Sequence, residues 1–90
     1  MNRRIRALVS DTRLTDGGLR LMLHLLGQAG PEATVRQSRR DLARSLGVSR
    51  GAIDRRLGEL AGLGLLTTEA TTSRVNGGRG PNLVRLLVRR

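Results

Sequence analysis

SRRDLARSLGVSRGAIDRRLGELAGLGLL, residues 38–66, is the stretch whose reading decides the fold. Ser38 with Asp41 three residues later is a helix-start signal. A serine hydroxyl can accept from an orphan N–H group, and a carboxylate in the first turn complements the positive end of the helix. Leu42, Ala43 and Leu46 form the apolar side of this first helix, and Gly47 supplies the backbone freedom that ends it. Ser49 starts a second helix, predicted over Arg50 to about Gly62, in which Ile53, Leu57 and Leu60 recur at i, i+4 and i+7 as a buried stripe. The opposite side of that helix then presents Gly51, Arg55 and Gly58, flanked by Arg50, Asp54 and Arg56.

Leu42-Ala43, Leu46-Gly47-Val48-Ser49, Ile53, Leu57, Leu60 and Leu63-Gly64-Leu65-Leu66 together resemble a winged helix-turn-helix DNA-binding domain of the small bacterial, plasmid or phage type. The resemblance spans Leu14 to Val88. In that family the second helix runs into a two-stranded wing, and here Leu65 to Thr72 and Leu83 to Val88 flank a glycine-rich tip. The resemblance implies an α+β fold with three main helices and a small antiparallel sheet forming the wing. It implies a winged domain over residues 14–90, preceded by a basic arm or short helix over residues 1–13. It also implies that a strand near Glu32 to Gln37 pairs with the wing hairpin, and that the second helix enters the major groove with its N-terminal residues nearest the base edges.

The side chains suit that task. Arg50 and Arg55 can each grip guanine O6 and N7 with two hydrogen bonds, the commonest specific contact. Asp54 can accept from a cytosine amine or orient a neighbouring Arg, and Ser49 can cap the helix while donating to phosphate. Gly51 leaves the backbone bare, and Gly51 and Gly58 each cost about 1 kcal/mol of helix stability relative to Ala. Gln37, Ser38, Arg39 and Arg40 cluster at a helix start, where N–H groups and positive side chains suit a phosphate. Arg74, Asn76 and Arg79 fall in the tip 74–82; its Asn76-Gly77 is a hairpin-turn signal, and its arginines are placed to reach phosphate or the minor groove. The tip lacks the G-K-[ST] of a phosphate-binding P-loop.

Toward the N-terminus, Thr15 caps a helix that runs to about Ala29, where Gly30 and Pro31 stop it. Its many leucines leave one polar stripe, Arg20, His24 and Gln28, so it needs cover on most sides. Either the N-terminal segment, with Ile5, Leu8 and Val9 on one side of a short helix, or a second copy of the chain supplies that cover. A homodimer is one expectation from this pattern. His24, alone on a polar stripe, reads as an exposed surface residue.

Composition narrows the function. The 90 residues hold 17 basic residues, all Arg, against 7 acidic ones, a formal net charge of +10. Such a balance favours a polyanionic partner by counterion release. Aromatic residues are absent, which argues against the stacking platforms of single-strand binders and toward double-stranded DNA. No cysteine, one histidine and no carboxylate pair at acid/base spacing point away from an enzyme, with no catalytic or metal-binding residue and no cofactor. No small-molecule ligand is indicated, and no apolar run suggests a signal peptide or membrane partner. A cytoplasmic, nucleoid-associated protein is expected. The leading expectation is a sequence-specific duplex binder acting as a transcriptional regulator. A plasmid or phage replication, partition or excision factor shares the same features, and a winged-helix protein-interaction module is the alternative of another class.

Overall fold

The computed structural model describes residues 3–73 and 78–87. In chain order the elements are α1 (Arg3–Ser10), α2 (Asp16–Gln28), β1 (Thr34–Gln37), α3 (Arg39–Leu46), α4 (Arg50–Gly62), β2 (Leu66–Ser73) and β3 (Gly78–Leu86). The three strands form one antiparallel sheet in the order β1-β3-β2. This α+β arrangement is compatible with a winged helix-turn-helix fold.

Each helix start carries the cap that its sequence advertises. Thr15, Ser38 and Ser49 are all extended, and their side-chain oxygens accept from Gly18, Asp41 and Ala52 respectively. Gly47 sits in the left-handed region at φ 69°, where a Cβ would clash with the backbone, and so lets the chain turn from α3 into α4. Val48 N–H then reaches back to the Ala43 carbonyl at 3.0 Å, satisfying a group the helix end leaves orphaned. Gly64 at φ 76° does the same after α4, with Leu65 N–H donating to the Leu60 carbonyl at 3.0 Å.

The core lies where α2, α3, α4 and the sheet meet. Leu21, Met22 and Leu25 of α2, Leu42 of α3, Ile53 and Leu60 of α4, and Val84 of β3 are all fully enclosed. Burying each such aliphatic side chain stabilises the fold by about 1.5–3 kcal/mol relative to exposure. The cover that α2 requires comes partly from within the chain. Leu8 of α1 is buried and Ile5 packs against the core, while Val9 stays half-exposed and Leu23 remains open to solvent. His24 is half-buried rather than exposed, with its Nε2 closed off from solvent and without a hydrogen-bond partner. Packing of α2 against both α1 and α4 leaves less open surface than its polar stripe suggested.

The sheet also departs from expectation at the hairpin. Gly78 to Asn82, read from sequence as part of the tip, belong to β3, with Ser73 opposite Gly78 and Thr72 opposite Arg79. The register shifts between Ala70 and Thr72, so that Thr71 faces both Gly80 and Pro81. Pro81 lacks an N–H to give, and a bulge is where a strand tolerates it. Its location is consistent with that rule: β1 ends opposite Asn82, and beyond this pair β3 has only β2 beside it. Within the last strand Val84 and Leu86 are buried, with Arg85 exposed between them, and Val88 lies outside the described residues.

Candidate nucleic-acid interface

The inward stripe of α4 fixes what its outer side can offer. Ile53, Leu57 and Leu60 are buried against the core, and helical geometry then turns Arg50, Gly51, Asp54, Arg55 and Gly58 outward, all of them exposed. Among the described residues neither Arg50 nor Arg55 is in an ion pair. Their charges are therefore available to a ligand. Residues 38–62 hold six arginines against three acidic residues, so the helix pair as a whole is cationic.

Ser38 and Ser49 use their oxygens as acceptors for Asp41 N–H at 3.0 Å and Ala52 N–H at 3.1 Å. A hydroxyl that accepts still has its own proton to donate, so capping and phosphate contact are compatible. Arg40 is exposed at the start of α3. Arg39, beside it, forms an ion pair through Nε with the Asp54 carboxylate, joining the start of α3 to the outer side of α4. Gln37 differs from its neighbours: it is half-buried, and its Oε1 is shut away from solvent without a partner.

Of the wing residues singled out in the sequence, Arg79 lies in β3 opposite Thr72, whereas Arg74 and Asn76 fall outside the described residues.

The glycines of α4 are not required by packing within the chain. Among the described residues, a Cβ added at Gly58 would meet nothing within 4 Å, and one at Gly51 would make ordinary contact with Arg55 Nη1 at 3.6 Å and Ser49 Oγ at 3.9 Å. Arg55 thus leans back along α4 over Gly51, toward the end of the helix that the resemblance directs at bases.

A second set of residues around α4 escaped the sequence reading. Glu59 accepts from Thr15 N–H at 2.7 Å and from the Thr15 hydroxyl at 2.8 Å, so a carboxylate from α4 caps the start of α2. Charge at this end of α2 is stabilised by the helix's positive N-terminus. Arg56 lies over Gly17, where a Cβ would come within 2.5 Å of its Nε, and the Glu59 carboxylate occupies the space beside Gly18. Thr15, Gly17, Ala52, Arg55, Arg56 and Glu59 line a shallow open groove at this junction. Two adjacent glycines in the first turn of a helix, otherwise unfavourable, were the one sequence signal of this close approach.

Away from the helix pair, the Arg13 guanidinium hydrogen-bonds Asp11 at 2.8 Å and holds its carboxyl below the ordinary aspartate range. Among the described residues no group of three or more His, Cys, Asp or Glu could hold a metal ion, and no helix is long and apolar enough to cross a membrane.

No family model matches the sequence, and no curated protein matches it. The fold is similar to that of a solved structure described as a possible transcriptional regulator from Methanosarcina mazei Go1, with a TM-score of 0.64 over 92% of this chain at 18% identity. The chain spans 62% of the length of that neighbour. At this level of identity the likeness is one of fold.

Proposed function

We propose that this protein binds double-stranded DNA sequence-specifically and regulates transcription, using a winged helix-turn-helix. The helix α4 enters the major groove, with Arg50, Gly51, Asp54 and Arg55 facing the base edges and Ser49 donating to phosphate. Ser38, Arg39 and Arg40 hold the backbone at the start of α3, with Gln37 behind them. The β2–β3 hairpin, carrying Arg74, Asn76 and Arg79, lies on the backbone or in the adjacent minor groove.

The observation that carries this reading is the outer side of α4, where two exposed arginines, without acidic partners among the described residues, stand on the same side as the uncovered backbone of Gly58. Guanidinium groups in that setting suit guanine edges and phosphates and have no complementary charge within the described residues to satisfy them. The structural neighbour's description as a possible transcriptional regulator supports the regulatory part.

The test is to select bound sequences from a random duplex pool, then titrate the selected site and a random duplex across a range of salt. Affinity should fall with a log–log slope of roughly −4 to −8, as about 5 to 9 engaged phosphates require. A flat salt response, or a pool that yields no enriched site, overturns the proposal.

A further inference from the structure

The Arg39–Asp54 pair is the point at which part of the proposed DNA surface is neutralised from within. We infer that Asp54 acts as an internal substitute for a DNA phosphate, holding the Arg39 charge away from non-specific duplex and so sharpening discrimination. The inference rests on the DNA-binding reading above and concerns how that surface is regulated.

Three observations support it. Asp54 is on the fifth residue of α4, with Arg50 four residues before it, yet its carboxylate pairs with Arg39 of α3 instead. An Arg placed N-terminal to an acidic residue at this spacing is the weaker helical orientation, which leaves the carboxylate free to choose a partner across the turn. Both side chains are accessible, 40% exposed for Arg39 and 55% for Asp54, so an approaching phosphate can reach either partner without unfolding anything. Finally, Arg39 Nε is itself closed off from solvent, and Asp54 is its ionic partner. An exposed ion pair of this kind contributes little to stability, whereas its position between the two helix starts places it where charge governs encounter with a polyanion.

An anionic partner therefore meets one cation fewer than the sequence provides until Asp54 is displaced or engaged. On random duplex, nothing compensates the carboxylate, and Arg39 stays paired. At a matched site, α4 is seated closely enough for a backbone phosphate at the start of α3 to displace the carboxylate, and Arg39 passes to that phosphate. Asp54 is on this account a positioning residue that sets specificity through Arg39.

The experiment compares the full chain with Asp54→Asn, Arg39→Ala and the double variant, each checked by thermal unfolding and titrated against selected and random duplex at several salt concentrations. Asp54→Asn should tighten binding to random duplex by about two- to fivefold, the range an exposed ion pair spans, and steepen its log–log salt slope by about 0.9. Binding to the selected site should tighten less, so discrimination falls. In the Asp54→Asn background, Arg39→Ala should restore the original slope on random duplex. If Asp54→Asn instead weakens the selected site alone, with random binding and slope unchanged, Asp54 reads a base and the inference fails. It fails equally if Arg39→Ala by itself flattens the slope on random duplex, because Arg39 is then already on phosphate. Failure of the underlying DNA reading has a different signature: the unmodified chain shows no salt-dependent duplex binding at all.

Discussion

The glycines that begin α2 and those along the outer side of α4 have opposite surroundings. At Gly17 and Gly18 the space a side chain would fill is held by Arg56 and Glu59, which α4 sends across to the start of α2. At Gly58 no described residue comes within 4 Å of that space. Gly17 and Gly18 let two helices close on each other, and Gly58 leaves a helix bare on the side turned away from the core. The same residue type thus marks where α4 is anchored and where it is open. A helix that reads DNA needs both conditions, because a surface can be offered to a ligand in a defined orientation only if its back is fixed.

Substitutions can break this contrast on either side. The largest effect is expected at the anchored side. Leu60→Ala removes a fully enclosed side chain and should lower unfolding free energy by about 2–5 kcal/mol in a denaturant titration. A loss below 1 kcal/mol would mean that α4 is not held by this stripe.

On the open side, Arg55→Ala should leave stability nearly unchanged while reducing discrimination between the selected site and random duplex by about 1–3 kcal/mol. Equal losses on both sequences would reassign Arg55 to phosphate.

The two glycine replacements sharpen the comparison further because the same change should have opposite signs. Gly18→Ala displaces the Glu59 carboxylate and its two hydrogen bonds to Thr15. Hydrogen bonds to a charged group are worth about 1.5–3 kcal/mol, and losing them outweighs the smaller gain in helix propensity, for a net loss of roughly 1 kcal/mol by thermal unfolding. Gly58→Ala meets open space and should stabilise the protein by up to about 1 kcal/mol. If the bare backbone serves close approach to DNA, that more stable variant binds duplex more weakly; undiminished affinity would show that the glycine has no part in binding.

Much of the helical layout was legible from local chemistry. Thr15, Ser38 and Ser49 cap the helices they were expected to cap, because capping depends on a side chain reaching the N–H groups of its own next turn. Gly47 was identifiable for a similar reason, since a helix end that requires positive φ selects for a residue without Cβ. The buried stripe of α4 followed from its spacing, and so did the exposure of Arg50 and Arg55.

The hairpin was less legible. Glycine and proline near 77–81 suggested a longer loop, but a bulge lets β3 begin at Gly78 and accommodate Pro81 beside a single neighbouring strand. Strand boundaries depend on pairing partners, which a local pattern does not contain.

By itself, then, the sequence determined which segments are helical, where they start and stop, and which side of α4 turns inward, because caps, breakers and apolar periodicity act within a few residues. Tertiary structure alone decided that Glu59 closes the start of α2 from 44 residues away, that Arg39 is held by Asp54, and that His24 and Gln37 lose solvent at an atom each. Those are properties of how the elements approach one another, and they are set when the shared core packs.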